Sequence, residues 1–344
     1  MPISKRKNLF FILLAQILLV KFLSNNLLFV NNLYPIFFLK LNFIQRKLFS
    51  FFSFDVGNII YFLAFFFGIY FLLKSIKTKK VIYSILAGIN ILLFLFFLTW
   101  GFNYYNVEIE KKYFTNEISD KKIIQLTEYI FNKTVFYSKF SNRNSKENYE
   151  IPNKNILYSE ILEAQHKTKI LSNKTIHNQI NVKPSIFSEY LSYLGVGGVY
   201  NPLTSEAIYN KSMPDIKLPF TISHEMSHQL GFASEAEANF IGFLVGLNVE
   251  NNSIKYAIYY AALKYAMFCL YERAPILYPF YLSRFNKQMK TDYQQEKEYF
   301  LKYDSQAETY FSYSNDVFLK LNNQKEGVNS YQKFIYMLIN HLAL

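Results

Sequence analysis

The chain is short of cysteine, glycine, proline and histidine, and each shortage removes a class of function. Its single cysteine, Cys269, excludes an intramolecular disulfide and a cysteine-ligated zinc finger, while leaving the cellular compartment open. The one glycine cluster, Gly195, Gly197 and Gly198, lacks the GxGxxG spacing and has no Lys-Ser/Thr after it, so it is no phosphate loop. Acidic residues are outnumbered by basic ones, 25 to 37, for a net charge of +12. The lysines are scattered rather than gathered into a stripe, and no nucleic-acid-binding motif occurs, so nucleic acid is not an expected partner.

What is abundant is apolar and aromatic: 51% and 19% of the residues. A mean hydropathy of +0.04 is nonetheless near neutral, because two unlike regions are averaged. The first hundred residues are rich in Phe, Leu and Ile; the rest is rich in Asn, Lys, Ser and Tyr. Three stretches approach the roughly 20 residues needed to cross a bilayer: residues 9–30, 56–73 and 81–100. The first, despite its Lys5-Arg6-Lys7 start, is too long for a signal-peptide core and has no small-residue cleavage pattern after it, so it reads as a retained helix. Residues 36–54, broken by Lys40, Arg46 and Lys47, read as an interfacial helix. Trp100, Phe102, Tyr104 and Tyr105 suit an aromatic belt at a membrane exit. Basic residues before the first span and at Lys74, Lys77, Lys79 and Lys80 share the cytoplasmic side only if the chain crosses three times. Residues 1–105 are therefore expected to be a membrane region integral to a bacterial inner membrane, with residues 106–344 as one domain on the extracytoplasmic side.

Within that domain, apolar positions recur at helical spacing through residues 111–139. Residues 141–155 are polar and read as an exposed loop; residues 196–200 read as a short strand ended by Asn201-Pro202. Pro214 and Pro219 isolate a helix beginning near Phe220, and another helix covers residues 254–270. The fold class expected is mainly α with a minor, short sheet.

The helix after Pro219 carries His224-Glu225-Met226-Ser227-His228. Imidazoles four apart stand on the same helix face and can reach one Zn²⁺ at about 2.0–2.1 Å. Glu225, about 100° further round the helix, is placed to take a proton from a zinc-activated water and return it to a leaving amine. That is the HExxH arrangement. Gly231 supplies a helix stop, and Ser234 can cap a second helix opening with Glu235. A third ligand is needed; Glu235 shares a face with Asn239, whereas Glu237 lies about 200° away.

The segment Glu235-Ala236-Glu237-Ala238-Asn239 resembles the Glu-x-x-Ala-Asp/Asn second helix of the gluzincin metallopeptidases. The resemblance implies Glu235 as the third zinc ligand, with Glu237 the runner-up, and Asn239 as a hydrogen-bonding support. More of the chain is similar to an uncharacterised bacterial family, domain of unknown function 3810. The matching features are three N-terminal spans, Trp100-Gly101-Phe102-Asn103-Tyr104, Gly198-Val199-Tyr200-Asn201-Pro202, the histidine segment, and Gly327-Val328-Asn329-Ser330-Tyr331.

The expectation is a membrane-anchored, zincin-like, zinc-dependent metallopeptidase with Glu225 as general base. Its partners are the lipid bilayer and a protein or peptide substrate. Val199, Tyr200 and Asn201 are candidate substrate contacts by strand addition, and Tyr200 or Tyr271 a candidate oxyanion donor. His166, His177 and His341 are not expected to bind metal; Arg273 and Arg284 read as salt-bridged residues. The alternative is a non-catalytic membrane protein with a structural or regulatory metal site, which would more often be closed by four ligands including cysteine.

Overall fold

The computed structural model describes residues 3–106, 108–115, 118–172, 174, 178–324, 327 and 331–343. It is mostly helical, with one three-stranded sheet. The chain opens with α1 (Ile3–Ser24), α2 (Tyr34–Phe49), α3 (Val56–Lys77) and α4 (Val81–Thr99). Stretches Lys7–Ser24, Val56–Lys77 and Val81–Thr99 within these are long and apolar enough to cross a membrane. The first ends at Ser24 rather than near residue 30. The polar Ser24-Asn25-Asn26 break stops it, because Asn26 Oδ1 accepts a 3.0 Å hydrogen bond from the Phe29 amide and starts a fresh π-helical turn, Phe29–Leu33, that leads into α2.

Helix α2 occupies most of the stretch read as an interfacial helix, residues 36–54, but ends at Phe49 and packs one edge into the protein. Its buried stripe is Tyr34, Phe38, Asn42, Gln45 and Arg46, so its polar edge enters the protein while Ile36, Phe37, Ile44 and Leu48 remain exposed. Asn42 Nδ2 donates to Tyr200 Oη at 3.1 Å and to the Gln229 carbonyl at 3.0 Å. Gln45 Nε2 donates to the Pro202 and Leu203 carbonyls at 2.8 and 3.0 Å. Arg46 is fully buried, and its Nε donates to Asn42 Oδ1 at 2.7 Å. Burial lowers its pKa to about 10.

Downstream come α5 (Glu108–Tyr113), α6 (Asp120–Ser138), α7 (Lys154–Lys167), β1 (Val182–Pro184), α8 (Ser188–Tyr193), β2 (Gly198–Asn201) and β3 (Glu206–Tyr209). They are followed by α9 (Leu218–His228), α10 (Glu235–Leu247), α11 (Asn252–Arg273), α12 (Leu277–Ser283), α13 (Lys287–Tyr303), α14 (Gln306–Leu321) and α15 (Tyr331–His341). Residues 141–153 form the loop expected over 141–155, but it is anchored to the core. Tyr149 is buried, and Arg143 grips the buried carboxylate of Asp292 through both terminal nitrogens, at 2.6 and 2.8 Å.

The strand order is β1-β3-β2, with β1 parallel and β2 antiparallel to β3, so β2 has one unpaired edge. Helix α10 is buried on every side but its ends, α9 lies against it, and both sit in one apolar core with α6, α11 and α15. Asn251 starts α11 by accepting from the Ser253 and Ile254 amides.

The sheet is also bolted to the membrane helices. Glu206, fully buried on β3, accepts from the Val56 and Gly57 amides at the start of α3, at 3.0 and 2.6 Å. Its charge suits a helix N-terminus and is paired with Lys183 at 3.0 Å. Replacing Glu206 by Ala strands a buried lysine, a loss of about 3–5 kcal/mol. Glu206→Ala should therefore melt well below wild type in detergent; superimposable melting curves would remove this contact from the stability account.

Candidate metal centre

Helix α9 begins with Pro219 in its first turn, where a missing N–H costs nothing, and ends on His228. One face carries both imidazoles, with ring centroids 4.7 Å apart and planes perpendicular. Their Nε2 atoms are 3.0 Å apart. Each ring is oriented from behind. His228 Nδ1 lies 2.6 Å from the Phe232 carbonyl, which the turn through Gly231 (φ +89) brings back under the helix end. His224 Nδ1 lies 2.8 Å from Asn239 Oδ1 on α10. Ser223 Oγ donates to the Gly242 carbonyl at 2.8 Å and fixes where α9 crosses α10.

A carbonyl oxygen only accepts, so His228 Nδ1 carries the proton and its Nε2 presents a bare lone pair. The same tautomer holds for His224 while Asn239 presents its oxygen. Two lone pairs therefore meet, with a carboxylate beside them: Glu235 Oε2 is 3.3 Å from His224 Nε2, and Oε1 is 3.8 Å from His228 Nε2. With both rings neutral such a convergence is repulsive; without metal a proton on His224 beside Glu235 relieves it, and two imidazoles with one carboxylate are a donor set that Zn²⁺ accepts.

Glu225 supplies the fourth group. Its carboxylate lies within 4.8 Å of both histidine nitrogens, is 5% exposed, and has one oxygen, Oε2, without a hydrogen-bond partner. Unmet buried acceptors are costly, so this one also asks for a proton or a water. The edge strand passes directly over it: a Cβ on Gly198 would come within 2.7 Å of Glu225 Cγ. Gly198 is what lets β2 lie that close.

Without metal the four groups titrate apart. Burial opposes charge on His224, but the hydrogen bond and charge of Glu235, with Glu225, raise its pKa to about 9. Burial and the neighbouring His224 charge lower His228 to about 4. Burial, with Glu235 adding repulsion, raises Glu225 to about 8 against the pull of His224. Glu235 is held at about 2, because the imidazoles outweigh its own burial.

The centre lies in a cleft of about 550 Å³ that is also lined by Trp100, Tyr104, Val199, Tyr200, Tyr265 and four residues of α14. Trp100, one residue beyond α4, stands edge-on to His228 with ring centroids 5.8 Å apart. The candidate metal centre thus packs against the first residue beyond an apolar helix.

Residues 29–339 match the family described as "Protein of unknown function (DUF3810)". The chain belongs to this family. No curated protein and no solved structure matches it.

In this DUF3810 chain the two candidate carboxylates part company. Glu237 is 2% exposed and turns from the histidines toward a second cavity of about 890 Å³, beyond the Gly231–Phe232 turn. There its Oε1 accepts from the Glu110 amide at 3.0 Å, and burial raises its pKa to about 7. Ser234 takes the N-cap position of α10 but makes no capping bond; Gln324 Oε1 accepts from the Glu235 amide instead, at 3.2 Å.

Of the strand residues, Val199 lines the cleft. Asn201 is buried in a turn, its Oδ1 accepting from the Leu203 amide. Tyr200 has its hydroxyl engaged by Asn42, so it supports the strand. Tyr271 is exposed and meets Tyr278 edge-on, away from the cleft. Tyr265 also lines the cleft, beside Tyr104 and Tyr200; it is held between Phe220 and Phe334 and raised to about 12 by burial and Glu235. Helical spacing hints at it only weakly, since 29 tyrosines compete. His166 is exposed beside Asn178, and His341 packs against Tyr113 and Phe240; His177 lies outside the described residues. Arg273 pairs with Asp120 and Arg284 with Glu128.

Metal analysis separates the two carboxylates. Glu235→Ala should lose most bound zinc, whereas Glu237→Ala should keep it; the opposite order would reassign the ligand.

Proposed function

We propose that this chain is a membrane-anchored, zincin-like metallopeptidase that hydrolyses peptide bonds with zinc and with Glu225 as general base. One observation carries the reading: two imidazole lone pairs and the Glu235 carboxylate converge beside a buried carboxylate with an unmet oxygen, directly beneath an open strand edge. His224, His228 and Glu235 would hold the ion, and Asn239 and the Phe232 carbonyl would keep the rings in the required tautomer. When bound, Zn²⁺ supplies Lewis acidity, polarising a substrate carbonyl and acidifying water.

The remaining roles fall to the chain itself. Glu225 takes a proton from the attacking water at its unpartnered Oε2 and later delivers it to the leaving amine. Its raised proton affinity, about 8 before any cation is present, places it near the working range for such a shuttle. The free edge of β2 can pair with an extended peptide, holding its backbone across the cleft. Tyr265 is placed to donate to the oxyanion that develops on the scissile carbonyl.

The membrane arrangement we propose is three crossings, by α1, α3 and α4. Because α2 is hydrogen-bonded to the domain that follows α4, residues 34–49 and that domain share one side of the membrane. Three crossings satisfy this and leave the Lys74–Lys80 turn with the N-terminus, on the cytoplasmic side by charge bias. The burial of Arg46 removes one of the three cations that the opposite loop would otherwise expose. Residues 1–105 then form the membrane region and 106–344 the catalytic domain, facing the extracytoplasmic space of a bacterial inner membrane.

Glu225→Gln should retain zinc yet hydrolyse a quenched-fluorescent peptide library about 10²–10⁴-fold more slowly; wild-type turnover in that variant would discard the proposed base. Tyr265→Phe should lower kcat by about 10²–10³ with little change in KM, and an unaltered kcat would return the oxyanion role to another donor.

A further inference from the structure

Helix α14 is built unlike the helices around it. Leu319 is its only buried residue. Its two ends are nevertheless pinned. At the front, Ser305 Oγ donates to the Tyr193 carbonyl at 2.6 Å. At the back, Asn323 and Gln324 donate to the Tyr104 and Ala233 carbonyls, each at 3.2 Å. The body between these ties has two faces. Glu308, Ser312 and Asn315, at helical spacing, line the cleft of the metal centre. The other side presents Tyr310, Tyr313 and Leu321 at 72%, 72% and 78% exposure, with Val317 and Phe318 between them.

An apolar stripe of that extent is poorly suited to water, and its surroundings say what covers it. Phe318 packs edge-to-face against Phe96 and Tyr104, with ring centroids 6.0 and 6.2 Å apart. Phe96 lies in the last turn of α4, the most apolar of the candidate spans. The stripe is therefore continuous with the lipid-facing surface of a spanning helix, at the level where that helix leaves the bilayer. Tyr and Phe at this depth are the residues a headgroup–acyl boundary favours.

We propose that the outer face of α14 lies in the interfacial layer of the bilayer, making this wall of the cleft a membrane-docking surface. The proposal is independent of the hydrolytic chemistry and needs only α4 to cross the membrane. One wall of the cleft is then held at headgroup level.

Full-length protein in nanodiscs tests it. Environment-sensitive fluorophores are placed one at a time on cysteines at Thr309, Tyr310, Tyr313, Val317, Lys320 and Leu321, with Leu92→Cys in mid-α4 as the spanning reference; the native Cys269 is buried and does not compete. Spin-labelled lipids should quench Tyr310, Val317 and Leu321 several-fold more than Thr309 and Lys320, following the helical period. In the unmodified chain, a lipid with a photoreactive headgroup should crosslink to residues 310–321. Quenching at Leu92 with none along α14, and no crosslink there, would overturn the proposal. So would α14 positions shielded from both lipid quencher and aqueous iodide, which would mark a protein partner.

Discussion

Two imidazoles tied from behind bring their inner nitrogens within 3.0 Å of each other beside the Glu235 carboxylate, and most of the surrounding architecture follows from holding that close approach in place. The Phe232 carbonyl can reach His228 only because the chain reverses through Gly231. Asn239 can reach His224 only because α10 crosses α9 at the Ser223–Gly242 hydrogen bond. Two helices and the turn between them thus act as one clamp. A proton on His224 answers the electrostatics that the clamp creates, and a bound cation would do the same.

The second constraint is attachment to the membrane segment. In a tethered domain the spans would leave the sheet alone; here α2 reaches Tyr200 and the residues after β2, and the start of α3 is capped by Glu206 on β3. The strand that lies over Glu225 is therefore positioned in part by residues 42–57. The covalent boundary near residue 105 is not a mechanical boundary. Trp100 makes the same point from the other side, standing against His228 immediately after α4.

The histidine–glutamate cluster was easier to read in the sequence than the way it is held. His224, Glu225 and His228 announce themselves because helical spacing alone places them, and Gly231 and Ser234 mark the neighbouring helix ends for the same local reason. The three spans are legible from composition, although the first stops early because the Asn26 side chain restarts the backbone at Phe29. The burial of α2's polar edge was not legible because it finds partners more than 150 residues away, and no local pattern reports such pairing. Tyr265 stayed hidden for a related reason: its relevance comes from Phe220 and Phe334 steering the ring into the cleft. The loop over residues 141–153 was legible as a loop, but not its anchoring through Arg143 to Asp292 and through Tyr149 to the core, which depends on distant residues.

The claim on which the rest depends is that these side chains form one metal site, and X-ray absorption at the zinc edge of the full-length, zinc-loaded protein addresses it directly. The account predicts two imidazole nitrogens and oxygen donors at about 2.0–2.1 Å, with no sulfur. A spectrum without imidazole scattering, or one carrying a sulfur shell at about 2.3 Å, would contradict it.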